Sequence, residues 1–135
     1  MTKPIVQSVP FKASPEELFA MFTDSKKHSA ATGAKASVSP KVGAKWSAFD
    51  GMILGKNLAV VPGRMIVQAW RASHWKDSDL DSVLILNFSP APGGGKIDLV
   101  HAGVPQHDYK GVTKGWPSYY WEPWKAYLKA QAAKG

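Results

Sequence analysis

Four histidines are the side chains that could most readily act as acids, bases or metal ligands near neutral pH. They are His28, His74, His101 and His107. No two of them have the spacing that would let them share a metal on one helix or strand, and no His-Glu-x-x-His motif occurs. His101 is in phase with Ile97 and Leu99 along a predicted strand, so we expect it to point inward. A lone inward histidine is more often a hydrogen-bonded core residue than a catalyst, but it is the one candidate acid or base.

The other reactive groups show no catalytic arrangement. No two carboxylates are spaced for acid–base work. Asp77, Asp79 and Asp81 alternate in a polar loop, but this loop lacks the glycine and terminal glutamate of an EF-hand, which favours a solvated loop. Arg71 could anchor an anionic ligand, although a surface arginine is the commoner case. Because the chain has no cysteine, no phosphate-binding loop and no Gly-x-Ser-x-Gly motif, we predict no catalytic residue, no metal site and no cofactor.

Residues 116–128 are unusually aromatic, with three of the six tryptophans and three of the four tyrosines. On a helix, Trp116, Tyr120, Trp124 and Tyr127 would share one narrow face. That face either fills the core or forms one wall of a cavity. Pro117 disfavours an uninterrupted helix, so we expect the helix to begin there or to kink there.

The rest of the chain predicts a sheet that could pack against this helix. Ser14 and Glu17 have the spacing of a capping box that begins a short helix after the first strand, and a second short helix follows and ends near Gly33. Alternating or β-branched segments with turn residues between them then predict further strands. The sequence predicts an α+β fold in which a curved antiparallel sheet of about seven strands surrounds a long C-terminal helix, with strands at 5–12, 35–39, 45–49, 52–61, 64–73, 82–88 and 96–103.

A hollow between sheet and helix would make a mainly apolar pocket. Tyr120 and His101 would provide its polar groups. The alternative is that the same side chains interdigitate and leave no cavity. The candidate lining residues are Trp46, Met52, Leu54, Trp70, Leu84, Leu86, Leu99 and His101 from the sheet, and Trp116, Tyr120 and Trp124 from the helix.

Composition is typical of a single globular domain covering residues 1–135, with 44% hydrophobic and 20% charged residues. The formal net charge of +7 comes from 15 lysines and 2 arginines that are scattered along the chain. Scattered lysines favour a solvated surface over a nucleic-acid site and leave an acidic protein partner open. We expect no membrane span and no secretory signal, and therefore a cytoplasmic protein.

Six segments follow one another in a recognisable order: residues 13–19 (ASPEELF), 28–33 (HSAATG), 49–58 (FDGMILGKNL), 61–71 (VPGRMIVQAWR), 103–105 (GVP) and 115–121 (GWPSYYW). Together they resemble the family of activators of heat-shock protein 90 ATPase homologues, specifically its C-terminal-type domain. This family belongs to the START-like (SRPBCC) superfamily, so the resemblance implies a helix-grip fold over nearly the whole chain.

Three functions remain open at this point. The first is a non-catalytic binding domain that holds a small apolar molecule between sheet and helix. The second, implied by the resemblance, is a co-chaperone that binds heat-shock protein 90 and stimulates its ATPase. The third is an enzyme of the cyclase or hydrolase kind found among helix-grip relatives, with His101 as its acid or base.

Overall fold

The computed structural model describes residues 2–134. Within these residues the chain forms six strands and four α-helices, with a 3₁₀ turn (Gln106–Asp108) and a π-helical segment (Trp116–Trp121). The strands are β1 (Ile5–Phe11), β2 (Lys45–Ala48), β3 (Ile53–Val61), β4 (Met65–Ala72), β5 (Ser82–Ala91) and β6 (Gly94–Ala102). The α-helices are α1 (Pro15–Thr23), α2 (Ser25–Thr32), α3 (Tyr109–Gly115) and α4 (Glu122–Lys134).

The six strands form one antiparallel sheet in the order β1-β6-β5-β4-β3-β2. The sheet is curved, and the long C-terminal helix packs on its inner face, which confirms the predicted α+β helix-grip architecture. The inner face carries the apolar side chains that alternate along each strand, as β4 shows with its strict buried and half-buried alternation. Five of these inward residues are completely shielded from solvent: Ile66, Leu84, Leu86, Ile97 and Leu99.

The prediction of about seven strands was wrong by one. Residues 35–39 make a single bridge, between Ser37 and Ser47, and no ladder. Other backbone groups of this segment instead bond to the hydroxyls of Ser25 and Ser29 in α2, at 2.9–3.0 Å. The segment is therefore a connector between sheet and helix, because serine side chains compete for the groups that a strand would use.

Helix α1 begins as the sequence predicts. The Ser14 hydroxyl accepts a 3.1 Å hydrogen bond from the Glu17 N–H, and Pro15 occupies the first turn. The apolar face of the helix packs on the sheet, where the rings of Phe19 and Phe88 meet edge to face at 5.4 Å. The two short helices after β1 thus close the end of the sheet near the C-terminal helix.

The C-terminal helix does not begin at Pro117, but its hydrogen-bond pattern changes there. Helical structure runs from Gln106 through Lys134, and Pro117 lies inside the π-helical segment Trp116–Trp121. Proline has no N–H, so the usual hydrogen bond to the carbonyl four residues earlier is missing. The Glu122 N–H bonds to the Pro117 carbonyl, five residues back, which is the π-helical pattern.

A glutamine from the edge strand β1 stabilises this π-helical segment. The Gln7 side-chain amide donates a 3.0 Å hydrogen bond to the Thr113 carbonyl, the acceptor that Pro117 leaves unused. The side-chain oxygen of Gln7, Oε1, accepts a 2.7 Å hydrogen bond from the indole N–H of Trp121. One side chain therefore satisfies two groups that the irregular helix would otherwise leave without partners.

Candidate functional site

An apolar cleft of about 370 Å³ opens between the β2–β3 turn, the end of β4 and the C-terminal helix. This volume lies within the range of small-molecule sites. The cleft is open at its rim, where Met52 and Tyr119 are 65% and 62% exposed. Its lining residues are Phe49, Met52, Ile53, Trp70, Ala72, His74, Asp108, Gly111, Val112, Gly115, Trp116, Tyr119 and Tyr120.

Aromatic rings form most of the cleft wall. Trp116 packs against Tyr120 at a centroid distance of 4.9 Å and faces Trp70 at 6.3 Å. Phe49 meets Tyr119 and Tyr120 edge to face, at 5.9 and 5.3 Å. Rings held by mutual contacts offer a preformed surface for an apolar or aromatic guest.

The π-helical turn determines how this wall is built. Residues five apart lie above one another in a π-helix, and Trp116 and Trp121 stack at 5.6 Å with an interplanar angle of 21°. Trp121 is buried against Phe11 of β1 at 5.9 Å, and Trp116 lines the cleft. The stack thus fixes the position of the cleft wall relative to the edge of the sheet.

Phe49 reaches the cleft through an unfavourable backbone conformation. Phe49 and Asp50 have φ angles of 53° and 57°, in the left-handed region that non-glycine residues seldom adopt. Backbone strain of this kind costs about 1–3 kcal/mol and persists only where surrounding contacts enforce it. Here the Asp50 N–H bonds to the Lys35 carbonyl at 3.0 Å, and the Phe49 ring packs on Tyr120. Strained backbone of this kind clusters at functional sites, so its position beside the cleft marks the cleft as a candidate site.

A carboxylate lies at the end of the cleft. Asp108 Oδ2 accepts a 2.8 Å hydrogen bond from the Trp75 indole N–H and lies 3.2 Å from His74 Nε2. The Asp108 side chain is 19% exposed, and that of His74 is 64% exposed. Gly111 lies beside the other carboxylate oxygen, since a Cβ placed there would approach Asp108 Oδ1 to 2.8 Å. The carboxylate is therefore held in place from one side only.

His101 lies in the core behind the cleft and does not line it. The Trp116 indole N–H donates to His101 Nδ1 at 3.1 Å, so the proton of the neutral ring is on Nε2, which donates to the Ser82 hydroxyl at 2.8 Å. Ser82 in turn donates to the Trp70 carbonyl at 2.8 Å. Burial lowers the pKa of His101 to about 3. The ring is thus a neutral link between two cleft tryptophans, and it has no free nitrogen for acid–base chemistry.

A second buried histidine, His28, forms a hydrogen bond with Tyr120. The sequence did not predict this contact. His28 Nδ1–H donates to the Phe22 carbonyl at 2.9 Å, which leaves Nε2 to accept a 2.9 Å hydrogen bond from the Tyr120 hydroxyl. Burial lowers the pKa of His28, partly offset by the bond to Phe22, and burial raises the pKa of Tyr120. Tyr120 therefore uses its hydroxyl within the core and presents its ring to the cleft.

The eleven cavity candidates divide into three groups. Met52, Trp70, Trp116 and Tyr120 line the cleft. Leu54 lies on the outer face of β3, 36% exposed, because it pairs with Ser47, whereas the inward Trp46 and Trp70 both pair with Gly55. The remaining six are buried in the core between sheet and helix: Trp46, Leu84, Leu86, Leu99, His101 and Trp124.

Most lining residues that the prediction missed come from turns and from α3. Phe49 belongs to the β2–β3 turn, whereas the sequence predicts it as the last residue of the strand at 45–49. Gly111 and Gly115 are four apart on α3, so they share one helix face and leave room beside the aromatic wall. Two glycines at this spacing before an aromatic stretch were the sequence signal that could have indicated this part of the cleft.

Arg71 is already paired within the chain. Its guanidinium lies 2.6 Å from Asp81 and also donates to the carbonyls of Lys76 and Asp79, at 2.9 and 3.2 Å. The role of Arg71 is thus to hold the acidic loop against β4. His107 bonds to Asp79 at 2.8 Å, and this hydrogen bond lowers the pKa of Asp79.

Neither a metal cluster nor a membrane-spanning helix is present among the described residues. Residues 2–134 bring together no group of three or more His, Cys, Asp or Glu side chains suited to a metal ion. None of the helices in this range is both long and apolar enough to cross a bilayer.

Comparison with known proteins identifies the family. Residues 12–129 match the model of the Activator of Hsp90 ATPase homolog 1-like protein family. The chain belongs to this family. It is 30% identical over 112 residues to the human Activator of 90 kDa heat shock protein ATPase homolog 1, a match that covers 83% of the chain and 33% of the human protein. The chain thus spans about a third of the length of the curated relatives it matches.

Solved structures agree with the fold over nearly the whole chain. The crystal structure of an HSP90 activator from Plasmodium falciparum is similar with a TM-score of 0.79 at 26% identity, covering 94% of this chain and 95% of that one. A protein from Mesorhizobium loti gives a TM-score of 0.80 at 24% identity, covering 95% and 98%. The chain therefore has the same fold as these two proteins over nearly its whole length.

Proposed function

We propose that this Hsp90-activator-like chain works by binding rather than by catalysis, and that the aromatic cleft binds a small, mainly apolar molecule. The observation that carries the proposal is a cleft of about 370 Å³ whose wall includes Phe49, Trp70, Trp116, Tyr119 and Tyr120. A ligand would cover the exposed surface of Phe49 and Tyr119 in this wall, and burial of apolar surface favours binding. His101 offers no acid or base to the cleft, because both of its ring nitrogens form hydrogen bonds with core residues.

A variant that fills the cleft tests this proposal. Gly115 lines the cleft, and a Cβ at this position would have no atom closer than 3.6 Å, so Gly115→Leu places its larger side chain in the cleft without an immediate backbone clash. Lys125→Leu, on the exposed side of α4, is the matched control that adds a leucine away from the cleft. We expect a neutral apolar dye such as Nile red to bind the parent chain and the control, and to bind Gly115→Leu at least ~10-fold more weakly, a loss of about 1.4 kcal/mol. Equal binding to all three proteins, or no binding to any, would contradict the proposal.

A second candidate function is contact with a chaperone of the heat-shock protein 90 class. It is favoured by the family match over residues 12–129 and by the similarity to a Plasmodium falciparum protein described as an HSP90 activator, which has a chain of nearly the same extent. In this hypothesis the chain binds the chaperone and raises its ATPase rate.

The chaperone hypothesis has a direct assay. We expect the purified chain to increase the steady-state ATP hydrolysis of the host's heat-shock protein 90 and to be retained by the immobilised chaperone at low salt. The Gly115→Leu and Lys125→Leu variants then show whether the cleft takes part. An unchanged ATPase rate together with an empty pull-down at low salt would exclude the hypothesis, whatever the result of the dye experiment.

A further inference from the structure

The charge lining the cleft is opposite to the charge of the chain as a whole. The formal net charge is +7, with 17 lysines and arginines, yet none of them lines the cleft. The one acidic lining residue is Asp108, at the end of the aromatic wall. A ligand that enters the cleft therefore meets aromatic faces and a carboxylate.

The Asp108 carboxylate is positioned with one oxygen still available. Trp75 and His74 approach Oδ2 at 2.8 and 3.2 Å, and no residue in the range 2–134 donates a hydrogen bond to Oδ1. Oδ1 lies over Gly111, and a methyl group at that position would approach it to 2.8 Å. The glycine thus leaves space beside an acceptor that the protein does not satisfy, and a carboxylate in such surroundings favours a charged donor.

We propose that the cleft selects organic cations: molecules with an apolar, preferably aromatic, body and a protonated amine that pairs with Asp108. This inference rests on the proposed ligand-binding function and specifies the class of ligand. The ammonium group would bond to Oδ1, and the apolar body would lie against Trp70, Trp116 and Tyr119. Aromatic faces also attract cations, so both features of the cleft favour the same charge. Replacing the amine by a carboxylate would place two negative charges close together.

Three probes with one tail and different head groups test the inference. They are 4-phenylbutylamine, 4-phenylbutanol and 4-phenylbutanoate, measured by calorimetry or tryptophan fluorescence at pH 7.5. We expect the amine to bind at least ~10-fold more tightly than the alcohol, and the carboxylate to bind most weakly. The net charge of +7 alone would favour the carboxylate, so a preference for the amine has to come from the cleft.

Asp108→Asn tests whether the carboxylate causes the selectivity. The amide is nearly isosteric and its oxygen can still accept from Trp75, so we expect the alcohol affinity to stay within ~2-fold while the amine preference disappears. Asp98→Asn, on the outer face of β6, changes the net charge equally and should retain the preference of the parent chain. Circular dichroism of each variant shows that the fold is intact.

The outcomes separate this inference from the function on which it rests. If the alcohol binds and Gly115→Leu abolishes its binding, but the amine has no advantage, the cleft is a ligand site and the cation inference is wrong. If the amine preference survives Asp108→Asn, the assignment to Asp108 is wrong. If none of the three probes binds, the cation inference is wrong, and the Nile red experiment alone decides whether the cleft binds an apolar ligand.

Discussion

Acidification below pH 6.5 should destabilise this protein through histidines that the fold keeps neutral. Burial lowers the pKa of His101 from its ordinary value of 6.5 to about 3, and it also lowers the pKa of His28. In the unfolded chain both rings regain ordinary values and bind a proton near pH 6.5. Because the unfolded state then binds more protons, the stability that these histidines contribute is complete above pH 6.5 and decreases as pH falls toward the folded-state pKa values.

The size of the effect follows from the His101 shift alone. Between its unfolded pKa of 6.5 and its folded value of about 3, each pH unit removes about 1.4 kcal/mol. Lowering the pH from 7.5 to 5.0 crosses about 1.5 units of this window, so the His101 contribution to the free energy of unfolding should fall by about 2 kcal/mol. His28 changes the stability in the same direction. The pKa of Asp79 in the folded chain is below its ordinary value of 3.8, so Asp79 does not change the free energy of unfolding between pH 7.5 and 5.0.

Urea unfolding followed by tryptophan fluorescence at several pH values between 7.5 and 5.0 measures this slope. His101→Gln is the informative variant, because glutamine can still donate to Ser82 but cannot gain a proton. The variant will be less stable at every pH, since the Trp116 indole N–H loses its acceptor. Between pH 7.5 and 5.0, the free energy of unfolding should nevertheless fall by about 2 kcal/mol less in the variant than in the parent chain. Equal slopes for the parent chain and His101→Gln would refute the neutral, buried assignment of His101.

Four other substitutions test the supporting structure by the same unfolding assay. Gln7→Ala should cost about 2–4 kcal/mol, because the Trp121 indole N–H and a backbone carbonyl both lose their partner; a loss below about 0.5 kcal/mol would count against the stabilising role of Gln7. Gly55→Ala should cost about 3 kcal/mol or more, because its Cβ would overlap a backbone carbonyl of the neighbouring strand. Gly115→Ala is the contrast, because its Cβ would lie 3.6 Å from the Tyr119 ring. This variant should be neutral or should stabilise the helix by up to about 1 kcal/mol. Tyr120→Phe should cost about 1–3 kcal/mol by leaving a buried histidine nitrogen without a donor, and a neutral result would show that this hydrogen bond contributes no net stability.

Much of the fold could be predicted because local patterns and global packing agree. The capping sequence from Ser14 to Glu17 begins α1 as expected, and the strand alternation gives the correct inner face for β4, β5 and β6. The extra strand at residues 35–39 was predicted because its composition suits a strand. Its exclusion from the sheet depends on two serines in α2, and sequence spacing alone does not show that these would come within hydrogen-bonding distance.

The site was harder to predict than the fold, because small shifts in phase decide which side chains meet. Met52 and Leu54 were predicted on one inner face, but Leu54 pairs with the outward Ser47, and Met52 reaches the cleft from the turn. The hydrogen bond between His28 and Tyr120 joins residues 92 positions apart. A pair so distant in sequence leaves no periodic signal, whereas the aromatic face of the terminal helix does leave one.

Pro117 in the aromatic helix determines how the wall of the cleft is built. Pro117 removes one N–H from the helix, so the Thr113 carbonyl becomes available to Gln7. The resulting π-helical turn puts Trp116 above Trp121, and each indole N–H then bonds to a different strand: Trp116 to His101 of β6 and Trp121 to Gln7 of β1. The wall of the cleft is therefore fixed to the sheet at two points by hydrogen bonds, so the proposed ligand would require little rearrangement of that wall. A preformed apolar wall of this kind is better suited to selecting a ligand by shape and charge than to closing around any ligand that enters.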